Sequence, residues 1–296
     1  MVPLSTATAK DVSKATRPRS RFSSKSDNGR IAIIGGSDGY HGAPVLAYGA
    51  VCNTLAALRV GIGYAYLYVP GSIIHAARAL SPNTIIRKLG DKNIGSSSKK
   101  DAERCLKNVD AVVIGSGIGR SSNAIKRAAQ IIDCAVSSGI KIVVDADAIY
   151  ALEHTVQLNK NVLITPQDRE FASLFGSVPD RRSLKERAHS ASTLSKRLGC
   201  CVLLKGHNTV VADGSRIKVI KSRSSALATM GTGDVLSGIV GGYMAAGSDA
   251  FDAAVAGSYV HSRIGDMLHD KIGNHILSSD VVDCIPRVLK RFDKED

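Results

Sequence analysis

The feature that most restricts the fold is a series of short apolar runs, each followed at once by glycine, aspartate, threonine or lysine. Residues 30–34 run into Gly35-Gly36, and 111–114 run into Gly115-Ser116-Gly117. Residues 141–144 meet Asp145-Ala146-Asp147, 162–164 meet Thr165-Pro166, and 201–204 meet Lys205-Gly206. Runs this short and this continuously apolar describe strands covered on both faces, the habit of parallel sheets, rather than half-wet strands with alternating residues. Stretches with helical periodicity separate them, chiefly 43–60, 121–138 and 183–198. The alternation predicts an α/β fold, with a mostly parallel central sheet and helices on both faces. Ligands of open α/β sheets bind beyond the carboxyl ends of the strands. The Gly, Asp, Thr and Lys residues collected there therefore predict a polar cleft.

The remaining elements follow from local signals. Helices are expected at 9–15, 72–80, 99–108, 168–175, 249–269 and 278–291, with strands at 64–69 and 84–89. Segments 209–212 and 217–220 flank Asp213-Gly214 and predict a hairpin. No internal repeat or linker divides the chain, so one domain spanning 1–296 is expected, including the basic segment 1–29.

The 296 residues carry a formal net charge of +13, which raises nucleic acid or an acidic ligand as partner. No run interleaves basic with aromatic residues, as single-strand stacking would require. A solvated basic surface serving anionic small molecules is the expectation, including segment 181–197 with its six Lys and Arg residues against Glu186. The six cysteines show no metal or disulfide spacing and read as thiols in a reducing compartment. Asp11 and Asp27 interrupt the basic amino terminus, which holds no apolar signal core. The longest apolar stretch, 235–246, is too short and glycine-rich to span a bilayer. A soluble, cytoplasmic protein with no membrane or nucleic-acid partner is expected.

The strongest chemical signal is Met230-Gly231-Thr232-Gly233-Asp234, leading into an apolar helix up to Gly247. A tight turn feeding a helix aims unpaired N–H groups outward, an anion site to which Gly231, Thr232 and Gly233 would contribute. A carboxylate at Asp234 beside that site suits a base that takes a proton from a hydroxyl attacking a bound phosphate. The same spacing also suits an ordinary first-turn helix carboxylate. The loop 35–42 could hold phosphate on its N–H groups, but Tyr40-His41 exclude the Walker pattern. Gly115-Ser116-Gly117-Ile118-Gly119 has the wrong spacing for a dinucleotide fingerprint and reads as a close-approach loop. Lys205, Gly206, His207, Asn208 and Thr209 could grip a phosphate or form a plain corner between strands. Asp145 and Asp147 could hold Mg²⁺ through water, or Asp145 could cap the next helix. His41, His207 and His261 lack metal-ligand spacing. The metal ligands stay open.

Taken in order, five stretches resemble one family. They are Gly35-Gly-Ser-Asp-Gly-Tyr-His-Gly-Ala43, Ile114-Gly-Ser-Gly-Ile-Gly-Arg120, Val144-Asp-Ala-Asp-Ala148, Lys205-Gly-His-Asn-Thr209 and Gly231-Thr-Gly-Asp-Val-Leu-Ser-Gly238. The chain is similar to the NAD(P)H-hydrate dehydratases, carbohydrate-kinase-like repair enzymes with a ribokinase-like three-layer α/β/α fold. The resemblance implies ADP- or ATP-driven dehydration of hydrated NADH or NADPH, through phosphorylation of the ring hydroxyl and loss of phosphate. It implies Asp234 as catalytic base in contact with the hydrate, and Gly231, Thr232 and Gly233 as anion hole. Lys205, Gly206, His207, Asn208, Thr209 and Gly233 would hold the nucleotide, and Ala43 and Gly117 would line the hydrate site. It further implies Mg²⁺ dependence and a homo-oligomer, a tetramer being frequent in the family. The chain departs from the pattern at Thr165-Pro-Gln-Asp-Arg-Glu170, where the family usually shows Thr-Pro-His-Pro-Gly-Glu. Gln167 would then replace a substrate-contacting histidine. No room is left for the epimerase domain often fused to the family. Two rivals are a small-alcohol kinase of the same fold, which shares Asp234 and the anion hole, and a non-enzymatic basic binder of nucleotides or nucleic acid, to which Asp234 would be irrelevant.

Overall fold

Each central strand alternates its side chains between two cores, which is why the runs had to be apolar throughout. Ile31 and Ile33 enter one core, while Ala32 and Ile34 enter the other. Val113 and Val112 divide in the same way on a neighbouring strand. The computed structural model describes residues 4–38 and 43–294, leaving aside the side chains of 43–47.

Ten strands among the described residues form one sheet. They are β1 (Ser5–Thr6), β2 (Arg30–Ile34), β3 (Tyr64–Val69), β4 (Ile85–Lys88), β5 (Ala111–Ile114), β6 (Lys141–Val144), β7 (Val162–Ile164), β8 (Cys201–Leu204), β9 (Asn208–Ala212) and β10 (Ile217–Lys221). Their order is β1-β10-β9-β8-β7-β6-β5-β2-β3-β4. All pairings are parallel except those of β9, which runs antiparallel to both β8 and β10. The expected hairpin is β9–β10.

The helices are α1 (Ala9–Ala15), α2 (Ala43–Arg59), α3 (Ile74–Leu80), α4 (Lys99–Arg104), α5 (Ser122–Ser137), α6 (Asp168–Phe175), α7 (Leu184–Leu198), α8 (Thr232–Ala245), α9 (Ala250–Ile272) and α10 (Ser278–Leu289). Helices α2, α8, α9 and α10 bury their apolar residues on one face of the sheet. Helices α5 and α7 cover the other. Mixed sheet and two helical layers are as the sequence predicts.

Four details differ. The helix expected at 72–80 opens with a 3₁₀ turn at Gly71–Ile73, and the one expected at 99–108 ends at Arg104 in turns that reach Asn108 at a φ of 57°. The stretch Ala146–His154 is 3₁₀ helix, which carries no 3.6-residue signature. The polar amino terminus adds β1 beside β10, and Val12 and Ala15 of α1 are buried. Among the described residues no helix is long and apolar enough to cross a membrane.

The strand order places the cleft. From β2 the sheet grows outward through β3 and β4, and from β5 it grows the opposite way through β6, β7 and β8. Where the direction of winding reverses, the loops leaving neighbouring strands part and open a crevice. Here that point lies between β2 and β5, whose loops begin with Gly35 and Gly115. The N–H of Gly36 donates to the carbonyl of Ser116 at 2.7 Å and stitches the two loops together. Over this point α8 packs against α2. A Cβ on Gly238 would lie 2.1 Å from the carbonyl oxygen of Asn53, so only glycine allows this approach. The close packing of the two helices brings the start of α8 to the crevice.

Candidate active site

Helix α8 begins at a residue that must be glycine. Gly231 caps it at a φ of 87°, and a side chain there would also strike Ser278. Thr232 follows with its hydroxyl donating to the carbonyls of Leu227 and Thr229, at 2.6 and 2.8 Å. Its side chain thus ties the turn together, and its N–H, expected in the anion hole, donates to the Thr229 carbonyl at 3.4 Å. Val235 makes the first helical hydrogen bond, to the carbonyl of Gly231. Among the described residues no acceptor meets the N–H groups of Gly233 and Asp234, as expected in a first helical turn. A Cβ on Gly233 would meet only the Lys205 ammonium, at 4.0 Å. Among the described residues nothing else lies within 4 Å of that point, which a bound anion can occupy.

Asp234 stands beside this anion hole, partly buried between α2 and the loop after β5. A Cβ on Gly49 of α2 would lie 2.8 Å from Asp234 Oδ2 and 3.4 Å from Ser116 Oγ. Burial pushes the Asp234 carboxyl up to about 6, and the nearby Asp145 carboxylate adds to this. The Ser116 hydroxyl, hydrogen-bonded to the carboxylate, and the Lys205 ammonium hold it down. A base with this proton affinity is largely ionised at neutral pH yet accepts a proton readily.

Behind Asp234 lies a buried network around Asp145, at the end of β6. Asp145 Oδ1 receives Lys205 Nζ at 2.5 Å, Thr165 Oγ1 at 2.6 Å and the N–H of Ala146 at 2.8 Å. Its Oδ2 receives Ser237 Oγ at 2.5 Å, from α8 one turn beyond Asp234. Burial opposes ionisation of Asp145, but Lys205 and the hydroxyl donors bring the carboxyl below its ordinary value. Burial likewise opposes charge on Lys205, while Asp145, Glu170 and Asp234 raise it above the ordinary lysine value. The ammonium is therefore a fixed cation at the ends of β6, β7 and β8.

Lys205 departs from the sequence expectation in one respect, since its ammonium turns inward to Asp145. The rest of its loop is open: Gly206 and His207 are exposed, and Thr209 bonds locally to the Gly206 carbonyl at 3.3 Å. Asn208 and Thr209 open β9. Of the expected hydrate-site residues, Gly117 sits at a φ of 63° in the loop after β5, beside Ser116. Gln167 stands exposed at the start of α6, its N–H on Glu170 at 2.7 Å. Ala43 opens α2, but its side chain lies outside the described residues, as do Gly39, Tyr40, His41 and Gly42 of the first glycine loop.

The carboxylates considered for Mg²⁺ are committed elsewhere. Asp145 caps the 3₁₀ stretch and pairs with Lys205; Asp147 receives Arg120 Nε at 2.8 Å and the N–H of Gly119 at 3.1 Å. Among the described residues no three His, Cys, Asp or Glu groups gather as metal ligands.

Sequence reasoning missed Gly49, Ser116, Ser237 and Glu170. Their types are ordinary, and only the crossing of α2 over α8 and the ends of β5 and β7 make them neighbours of Asp234 and Lys205. It also mistook Arg187, assigned to a solvated basic face. That side chain is 2% exposed, because α7 turns it under the loop after β8.

Comparison with known proteins agrees with this geometry. A family model described as NAD(P)H-hydrate dehydratase matches residues 31–287. The ADP-dependent (S)-NAD(P)H-hydrate dehydratase of Nitrosopumilus maritimus (strain SCM1) is 32% identical over 293 residues, covering 98% of each chain. The Bacillus subtilis ADP/ATP-dependent NAD(P)H-hydrate dehydratase, co-crystallised with ATP/Mg²⁺, superposes with a TM-score of 0.81 at 25% identity over 99% of both chains. A ribokinase-like superfamily protein from Enterococcus faecalis V583 shares the fold, with a TM-score of 0.79 at 21% identity over 98% of this chain and 97% of that one. With the family match running from β2 into α10 and including the loops that carry Asp234 and Lys205, this chain belongs to the NAD(P)H-hydrate dehydratase family.

Proposed function

We propose that this chain dehydrates hydrated NADH or NADPH at the expense of ADP or ATP, working as a hydro-lyase of its family. The observation that carries this reading is the Asp234 carboxylate, raised to about 6 and set beside a helix N-terminus with free N–H groups. In the proposed reaction the ring hydroxyl loses its proton to Asp234 as its oxygen attacks the terminal phosphorus of the nucleotide. The phosphorus–oxygen bond within the nucleotide breaks, giving AMP from ADP or ADP from ATP. The phosphorylated ring then expels phosphate with the C–O electrons and loses a proton, restoring the dihydronicotinamide double bond. The N–H groups of Gly233 and Asp234 stabilise charge developing on the transferred phosphoryl group. Lys205, held by Asp145, supplies a fixed positive charge next to the same space.

The loop 205–209 is proposed to take the nucleotide, and Gly117, Gln167 and Ala43 to border the hydrate. Mg²⁺ is proposed to arrive on the nucleotide phosphates with most of its waters, as suits an ion that dehydrates reluctantly. No step is assigned to it. A cytoplasmic homo-oligomer completes the reading, together with a single domain over 1–296, the latter supported by the continuous sheet that includes β1.

The test is to incubate the protein with hydrated NADH, Mg²⁺ and either ADP or ATP, following absorbance of the regenerated dihydronicotinamide. Recovery that depends on nucleotide is expected; none with either nucleotide would refute the reading. Asp234→Asn should lose ~10²-fold or more in turnover while still binding nucleotide, in line with loss of a general base.

A further inference from the structure

Arg187 belongs to none of the roles above, yet it is among the largest side chains wholly removed from water. An arginine cannot shed its charge, so burying one requires a carboxylate and further acceptors. Its Nη1 donates to Asp168 Oδ1 at 2.8 Å, and its Nη2 donates to the Lys205 carbonyl at 2.8 Å. Asp168 receives Arg181 Nε on its other oxygen at 2.6 Å. The Lys205 N–H meanwhile donates to the Pro166 carbonyl at 2.9 Å. Both backbone groups of Lys205 are thus drawn toward the 166–168 and α7 side. The guanidinium lies directly against the next residue: a Cβ on Gly206 would be 2.6 Å from Arg187 Nη2 and 3.1 Å from Cζ. Among the described residues the N–H groups of Gly206 and His207 find no acceptor, and both residues are exposed.

We infer that Asp168 and Arg187 form a positioning clamp for the nucleotide loop, fixing the Lys205 carbonyl inward so that the following N–H groups face a bound nucleotide. Asp168, at the start of α6, supplies the acceptor that Arg187 needs. The inference rests on reading 205–209 as the nucleotide loop, and the experiment separates the two.

ADP and ATP are titrated calorimetrically into the full chain, wild type and the variants Arg187→Lys and Asp168→Asn, with circular dichroism melts to verify folding. Either variant, folded, should bind nucleotide about tenfold more weakly, the size of coupling expected for residues in one network. At saturating nucleotide, KM for the hydrate and the pH profile should not move. Wild-type protein that binds neither nucleotide would overturn the reading of the loop itself. Folded variants that bind as wild type does would overturn the clamp and leave that reading intact. Should both variants fail to fold, Gly206→Ala presses on the guanidinium from the loop side without removing the ion pair. A folded Gly206→Ala protein is expected to bind nucleotide about tenfold more weakly at unchanged KM for the hydrate, and a folded one that binds as wild type does would overturn the clamp.

Discussion

Replacing Ser116 by alanine tests whether the proton affinity of Asp234 sets the pH response of the reaction. The Ser116 hydroxyl donates to the carboxylate and so favours its ionised form, against the burial that pushes the group up to about 6. A hydrogen bond to a charged group is worth roughly 1.5–3 kcal/mol when lost outright, and water entering the vacated space returns part of it. Taking ~1.4 kcal/mol, one pH unit, moves the acid limb of kcat/KM from about pH 6 to about pH 7. The sign follows from the role: a base works when ionised, so removing a donor to its ionised form costs activity on the acid side. At pH 6 the ionised fraction falls from about a half to about a tenth, a loss of about fivefold. At pH 7 the loss is about twofold, and by pH 8.5 the two proteins should be equal. The assay is dihydronicotinamide recovery from hydrated NADH at saturating nucleotide, run at half-unit steps from pH 5.5 to 8.5. A loss of the same size at every pH would mean that Ser116 only holds the loop after β5. An unmoved profile would mean that Asp234 is not the titrating base.

Gly49→Ala should slow turnover by ~10-fold to 10²-fold, since a methyl 2.8 Å from Asp234 Oδ2 must displace the carboxylate, and misplacement of that order is costly. Its helix gains propensity, so melting should fall little while kcat drops; a drop in melting temperature with kcat intact would contradict the placement. Asp145→Asn leaves the buried Lys205 unpaired and should destabilise the protein by about 3–5 kcal/mol at neutral pH, measured by urea unfolding. Because the Asp145 carboxyl lies below its ordinary value of 3.8, its contribution is complete above that pH and is lost as pH falls through the folded value. The gap between variant and wild type should therefore narrow below pH 3.8, and a constant gap would show that the ion pair is not what the carboxylate provides.

What could be read from the chain, and what could not, divides by how many elements a residue must know about. Ile31 and Val113 announce buried strands because their neighbours in sequence are apolar too, and that is local information. Gly35, Gly115, Asp145, Thr165 and Lys205 announce a cleft because each directly follows such a strand, and parallel strands end together. Asp234 was legible as far as its own turn: two glycines, a helix start and a carboxylate.

Its proton affinity was not legible. That property depends on Gly49 and Ser116, which lie 185 and 118 positions away in the chain, and on how closely Gly238 lets α2 approach α8. The misreading of Arg187 has the same origin. In the sequence it is one of six basic residues between 181 and 197 and looks like its neighbours. In the fold α7 crosses behind the loop after β8, and one position of six is turned inward, where its charge is paired because Asp168 begins α6 opposite it. A charge run thus reports a solvated face only when no carboxylate is carried to it by another element. In this chain the element that carries one is α6, whose first residue is Asp168.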